Sequence, residues 1–236
     1  MKILVADDDR DLLELVQFSL VQAGYEVITT QSGRAALESF ARDSPDLVIL
    51  DINMPDVSGY QVCRAIRQRS STPVMMLTVR NMEDDLVKAY ENGADEYVTK
   101  PFSPKTLIAR VRALERRIPS ASVDSLVVGD TRLDTISREV QIGEMRPISL
   151  TLLELKMVHA LLLSAGRPLS SEKLLQQVWG RSGQSEQRAL KQLIYRLRRK
   201  LRDANGAEEL LQTTPGAGYR LLVSLAKNGA PVEAKI

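Results

Sequence analysis

The chain has 236 residues, 44% of them hydrophobic and 26% charged, a length suited to one or two domains and a composition that excludes disorder throughout. Lys and Arg number 32 against 30 Asp and Glu, a net charge of +2 that by itself points to no partner. The single cysteine, Cys63, excludes an internal disulfide and a multi-cysteine zinc site and suits a reducing cytoplasm. No signal peptide or membrane span is expected, and 4% aromatic residues argue against stacking on single-stranded nucleic acid.

The near balance of charge is a cancellation. Residues 1–117 hold 15 basic and 18 acidic side chains, whereas the rest of the chain holds 17 and 12. Pro and Ser in residues 118–125, after a basic helix end, mark a linker that spans at most about 26 Å when extended. The expected organisation is a first domain over 1–117, a second over 126–224 and a polar tail over 225–236.

Short apolar runs at Ile3–Ala6, Glu26–Thr29, Leu47–Leu50, Val74–Leu77 and Glu96–Val98 predict buried parallel strands. Helical spacing predicts helices over Asp11–Ala23, Gly33–Arg42, Gly59–Arg69, Glu83–Asn92 and Pro104–Arg117. In the first helix Leu12, Leu15, Val16 and Leu20 are expected near one apolar face, with Gly24 as the stop. Strict alternation predicts a doubly wound α/β domain with a five-stranded parallel sheet, in which ligands bind at the carboxyl ends of the strands.

Those ends carry chemistry. The first strand leads into Asp7 and Asp8, the third into Asp51, the fourth into Thr78 and the fifth into Lys100. Carboxylates brought together repel one another and need a cation, and hard oxygen ligands favour Mg²⁺. Lys100 offers a positive charge for an anionic phosphoryl group, and one carboxylate can act as the nucleophile. Taken singly, each residue has a plainer explanation: Asp9 and Asp11 suit a helix N-terminus, Asp51 a turn, Thr78 a cap and Lys100 the position before a proline turn. Convergence at four strand ends favours one shared site.

The runs ILVADDD, LVILDINMPDVSG, VMMLTVR and GADEYVTKPF resemble the flavodoxin-like receiver domain of two-component response regulators, over about the first half of the chain. The resemblance implies that Asp51 is the phosphoacceptor, attacking a phosphohistidine of a sensor kinase. Asp7 and Asp8 then organise Mg²⁺, with Asp8 a direct ligand and the Asn53 main-chain carbonyl another. Thr78 becomes the switch hydroxyl, Tyr97 the switch aromatic and Lys100 the phosphate-pairing lysine. Val79 departs from the family, which usually has Ala, Ser or Gly there, and adds bulk beside the acylphosphate. The resemblance also implies symmetric pairing of two phosphorylated receivers. Lys88, Glu91, Asp95 and Glu96, set against Arg110, Arg112, Arg116 and Arg117, offer a surface for it. A solvated face explains these charges about as well, since exposed pairs contribute only about 0–1 kcal/mol each.

In the second half, residues 126–148 predict short strands turning at Gly129–Asp130, Ile136–Ser137 and Gly143–Glu144. Thr151 and Glu154 form a capping-box pattern opening a helix to about Ser164, in which His159, the only histidine, reads as a packed or half-exposed side chain and not a ligand. A turn over Gly166–Ser170 precedes a short helix over Ser171–Val178, with Trp179 in the core. The third helix, about Ser185–Arg202, sets an apolar stripe of Leu190, Leu193, Ile194, Leu197 and Leu201 against Arg188, Lys191, Gln192, Tyr195, Arg196 and Arg199. Such a helix fits the major groove of DNA. A solvated basic helix has the same charge pattern, while a membrane-bound one is disfavoured because its apolar face lacks Trp and Phe. Leu211–Thr214 and Tyr219–Val223, joined across Pro215–Gly218, predict a hairpin.

The runs LTLLELKMV, GRPLSSEKLLQQVWG, RALKQLIYRLRRKL and TTPGAGYRL resemble the α+β winged-helix effector domain of the OmpR/PhoB family, over nearly all of residues 126–223. The resemblance makes Ser185–Arg202 the recognition helix and Leu211–Val223 the wing, with Thr213, Thr214 and Arg220 as wing contacts. Pro215 stands where an arginine suited to the minor groove is common. Lys191 occupies a position often acidic, and Tyr195 one often small.

Together the two halves imply a cytoplasmic two-component transcription factor, not an enzyme. Phosphorylation on Asp51 would favour receiver dimers that set recognition helices on tandem half-sites about 10–11 bp apart. The implied partners are a sensor histidine kinase, double-stranded DNA and RNA polymerase. Two other readings use the same residues. One is a DNA-binding regulator with a constitutive receiver dimer, Val79 closing the site. The other is an aspartyl-phosphate phosphatase, which needs an acid or base two residues after Asp51, where Asn53 stands.

Overall fold

The structure, a computed structural model, describes residues 1–79, 88–116, 125–180, 183–205 and 210–224. It divides into two compact units, Met1–Arg116 and Arg117–Ile236. Most of the expected linker (118–124), the expected tail and most of the expected helix over 83–92 lie outside the described residues, although 88–91 are helical.

The first unit runs β1 (Lys2–Ala6), α1 (Arg10–Gln22), β2 (Glu26–Thr30), α2 (Gly33–Asp43), β3 (Leu47–Asp51), α3 (Gly59–Arg67), β4 (Val74–Val79), β5 (Glu96–Lys100) and α4 (Pro104–Arg116). All strands are parallel, in the order β2-β1-β3-β4-β5. This is the doubly wound sheet expected. Its central strand, Leu47–Asp51, is buried at every position because helices cover both faces. Leu4, Ala6, Val48, Leu50 and Met76 form one core with Ala36 of α2 and Val62, Cys63 and Ile66 of α3. The alternate residues of each strand face the opposite layer, where α1 and α4 meet.

Asp9 caps α1, its side chain accepting from the Leu12 N–H at 3.1 Å, so its plainer reading holds. The expected apolar face of α1 needs correction. Leu13, Val16 and Leu20 are buried, but Leu15 is exposed and Leu12 only half-buried. At about 100° per residue the first three fall within about 60° of arc, whereas Leu15 is turned well away.

The expected strip of opposed charges also needs correction. Asp95 is buried, pairs with Arg67 at 2.5 Å and accepts from the Val74 N–H at 2.9 Å. It holds the ends of α3 and β4 together and is withdrawn from the surface. Glu96 is buried as well, paired within its own chain to Arg110 at 3.4 Å.

The second unit runs β6 (Ser125–Val128), β7 (Thr131–Asp134), β8 (Glu139–Ile142), β9 (Ile148–Ser149), α5 (Leu152–Leu163), α6 (Ser171–Trp179), α7 (Gln184–Asn205), β10 (Leu211–Thr214) and β11 (Gly218–Leu221). Strands β6 to β9 form an antiparallel meander, and β10 pairs with β11 as a separate hairpin. Ser125, expected as the last linker residue, already pairs with Asp134. The capping box of Thr151 and Glu154 is present, and Trp179 is core. Leu190, Leu193, Ile194, Leu197 and Leu201 bury one side of α7. The hairpin is tied to the start of α6 by reciprocal main-chain hydrogen bonds between Leu169 and Tyr219 (2.8 and 2.9 Å). Only glycine fits at Gly218, where φ is +117° and a β-carbon would run into the Leu169 carbonyl.

Candidate functional site

The sheet order reverses at β1, and the crevice beyond the carboxyl ends of β1 and β3 is where such folds bind ligands. The ladder continues through the polar ends of the apolar runs, so Asp51 is the last residue of β3 and Lys100 of β5, while Thr78 is paired in register with Thr99. Asp7, Asp51 and Thr78 are buried and Asp8 is exposed. Asp7, Asp8 and Asp51 each offer a carboxylate oxygen within 4.8 Å of the others.

Lys100 Nζ lies 2.7 Å from Asp7 Oδ2 and 2.6 Å from Asp51 Oδ1. Asp51 Oδ2 accepts the Asn53 main-chain N–H at 2.5 Å, and Asp7 Oδ1 that of Asp9 at 3.1 Å. Burial pushes the Asp7 carboxyl above its ordinary range, against the opposing pull of Lys100 and the Asp9 N–H. Burial alone would lower the Lys100 ammonium, but its bonds to Asp51 and Asp7 outweigh that and hold it above its ordinary value. A single ammonium leaves the three carboxylates with excess negative charge, and hard oxygens in that number and spacing fit Mg²⁺.

Tyr97 is half-buried in β5, edge-on to the buried Tyr90 with ring centroids 5.8 Å apart. Val79 belongs to β4, and its side chain lies outside the described residues. Sequence reasoning missed Gly59. The first turn of α3 runs so close to β3 that a β-carbon there would overlap the Asp51 carbonyl oxygen, and its N–H donates to the Ile52 carbonyl at 3.0 Å. The only sequence signal was a glycine directly after the N-cap Ser58.

On α7, Arg188, Lys191, Tyr195 and Arg199 are exposed. At 100° per residue they fall within about 80° of arc, a narrow line opposite the buried leucines. Gln192 is half-buried beside it. Arg196 is placed differently from the outward position expected of it. It is half-buried, its Nε is shielded from solvent, and its charge acts on the buried Glu154. On the hairpin Thr213 and Pro215 are exposed and Thr214 is half-buried. Arg220 reaches across the ladder to Gln212 Oε1 at 2.9 Å.

Residues 3–112 match the family described as response regulator receiver domain, and residues 145–221 that of the transcriptional regulatory protein C-terminal domain. The chain is 37% identical over 223 residues to the phosphate regulon transcriptional regulatory protein PhoB of Escherichia coli, covering 93% of this chain and 96% of that one. It is also 37% identical over 242 residues to the probable transcriptional regulator ycf27 of Galdieria sulphuraria, covering 98% and 94%. A solved structure of a RitR mutant superposes with a TM-score of 0.70 at 25% identity, over 94% of this chain and 99% of that one. The chain is an OmpR/PhoB-type response regulator.

This response regulator therefore combines a receiver domain with a winged-helix DNA-binding domain. Among the described residues no helix is long and apolar enough to cross a membrane. Sequence reasoning also passed over two residues of the regulator's α7. Arg198 Nε donates to the Leu211 carbonyl at 2.8 Å and its Nη2 to Thr213 Oγ1 at 2.8 Å, joining helix to hairpin. Lys200 Nζ bonds Glu154 Oε2 at 2.6 Å and the Ser149 carbonyl at 3.0 Å, anchoring the far end of the helix to α5 and β9. Both lie among Arg196, Arg199 and Arg202 in a stretch where every charge is positive up to Asp203. Nothing local in the sequence distinguished them from it.

Proposed function

We propose that this response regulator is a cytoplasmic transcription factor switched by phosphorylation of Asp51. The observation that carries the reading is the Lys100 ammonium held between Asp7 and Asp51, with Asp8 in the same cluster. A carboxylate oxygen of Asp51 attacks the phosphorus of a phosphohistidine in a sensor kinase. The P–N bond breaks, its electron pair returns to the imidazole, and an acylphosphate remains on Asp51. Asp8, Asp51 and the Asn53 carbonyl, organised by Asp7, would hold Mg²⁺, which when bound neutralises phosphoryl charge. Lys100 exchanges a carboxylate partner for a phosphoryl oxygen. Thr78 then turns to the phosphoryl group and Tyr97 turns inward, which favours a receiver homodimer.

The dimer sets two α7 helices in successive major grooves, on half-sites about 10–11 bp apart. Arg188, Lys191, Gln192, Tyr195 and Arg199 meet the DNA from α7, and Thr213, Thr214 and Arg220 from the hairpin; RNA polymerase is the next partner. Arg196 serves this interface by balancing Glu154. Incubation with a small phosphodonor and Mg²⁺ tests the switch by intact mass. A gain of about 80 Da, one HPO₃, is expected in the wild type and not in Asp51→Asn. No gain in the wild type, together with a stable dimer, would instead establish the constitutive regulator. Steady turnover of phosphate esters would establish the phosphatase.

A further inference from the structure

Tyr195 is the one aromatic in the exposed line of α7. It is 62% exposed, more than any other large hydrophobic side chain described except Phe18. Arg188 and Lys191 precede it and Arg199 and Arg202 follow it, all exposed, so it sits at the centre of a cationic strip. An apolar ring kept in water at the middle of such a strip gains free energy only when a partner covers it. The flanking cations define that partner as polyanionic, and on the proposed reading it is the major groove of DNA.

The major groove presents acceptors and donors at every base pair but a single apolar group, the C5-methyl of thymine. A guanidinium or ammonium finds partners at guanine or phosphate. A phenol ring finds none of comparable fit except that methyl. We infer that Tyr195 is a specificity-determining residue that selects thymine by packing its ring on the C5-methyl at the centre of each half-site. The inference rests on the DNA-binding reading and deepens it. The hairpin adds to the argument: its one cation, Arg220, is bonded to Gln212, and its tip is Pro215, Gly216 and Ala217, so base selection falls mainly to α7.

The test uses the full chain, treated with a small phosphodonor and Mg²⁺, to enrich binders from a random-sequence duplex pool. The enriched duplex is then resynthesised with deoxyuridine replacing thymidine at one position at a time. This removes the methyl and leaves every hydrogen-bonding edge unchanged. At one symmetric position in each half-site the wild type should lose about three- to fivefold in affinity, the share of one buried methyl group. Tyr195→Ala should bind the thymine and uracil duplexes alike, with its fold checked by Trp179 fluorescence. Tyr195→Phe should keep the penalty, because the ring and not the hydroxyl makes the contact. An enriched duplex on which deoxyuridine changes nothing overturns the thymine assignment and leaves the DNA reading standing. So does a penalty that Tyr195→Phe abolishes, which would assign the hydroxyl to a polar contact. A pool in which nothing is enriched, even at low salt, overturns both.

Discussion

Gly59 stands where a β-carbon would run into the main-chain carbonyl oxygen of Asp51. The end of β3 and the first turn of α3 are thereby locked at a spacing that no other residue allows. Gly59→Ala must push backbone against backbone, and overpacking of that kind costs about 1–3 kcal/mol. The displacement falls on Asp51 itself. We expect the variant to fold with a lowered urea midpoint and to take up phosphoryl from a small phosphodonor at least tenfold more slowly. Unchanged uptake would mean that the loop adapts without moving the carboxylate.

Arg198 gives a second expectation. Its guanidinium makes two bonds to the hairpin strand β10, at Leu211 and Thr213, and so fixes the hairpin relative to α7. A lysine cannot reproduce two bonds from a planar fork. Arg198→Lys keeps the charge yet should weaken DNA binding by about five- to tenfold, through about 1 kcal/mol of lost preorganisation. The slope of log affinity against log salt should stay the same. A changed slope would show that the guanidinium contacts phosphate directly.

The pair of Glu154 and Lys200 gives a third. Burial pushes the Glu154 carboxyl up, but the charges of Lys200 and Arg196, and its bonds to Lys200 and the Thr151 N–H, outweigh burial and hold it below its ordinary 4.5. A depressed carboxylate contributes stability that is present above 4.5 and lost as the pH falls through the lower folded value. Lys200→Met should cost about 2–3 kcal/mol, below the about 3–5 kcal/mol of a fully buried pair because a third of the lysine side chain is exposed. The cost should shrink as the pH falls and Glu154 takes up its proton, because the pair then no longer exists in either protein. Trp179 is the only tryptophan and lies in the core of this unit, so its fluorescence during urea unfolding measures the change there alone.

His159 gives the fourth. Burial in α5 lowers its imidazole below the usual 6.5. The unfolded chain therefore takes up the proton first, and stability falls as the pH drops through 6.5 toward the folded value. Trp179-monitored urea midpoints at about pH 7.5 and 5.5 should separate in the wild type and draw together in His159→Gln. Equal separation in both would assign the acid sensitivity to other groups.

These expectations rest on parts of the molecule that were unequally visible in the sequence. The strands, the capping box of Thr151 and Glu154 and the buried leucines of α7 could be read directly, because burial imposes a period and caps impose residue types. The acid cluster was legible because a parallel sheet brings separate strand ends to one edge. Leu15 and Asp95 were misjudged for a common reason. An apolar residue next to a helix face, or an acid at a strand start, has its partner decided by tertiary packing; for Asp95 that is Arg67, 28 residues away. Arg196, Arg198 and Lys200 show the same limit within a single helix. Their charge was plain, but whether each faces DNA, the hairpin or Glu154 depends on what lies against that side of the helix.

The hairpin of β10 and β11 carries a consequence for the cell's ionic conditions. Between Leu211 and Leu221 it holds one positive side chain, Arg220, already bonded to Gln212. If the hairpin meets DNA as proposed, it would displace few condensed counterions from the duplex, and each phosphate contact forgone flattens the salt response by about 0.9 in slope. On the proposed reading its hold on DNA would depend more on fit than on charge, and should persist where rising salt would loosen a wing built on arginine.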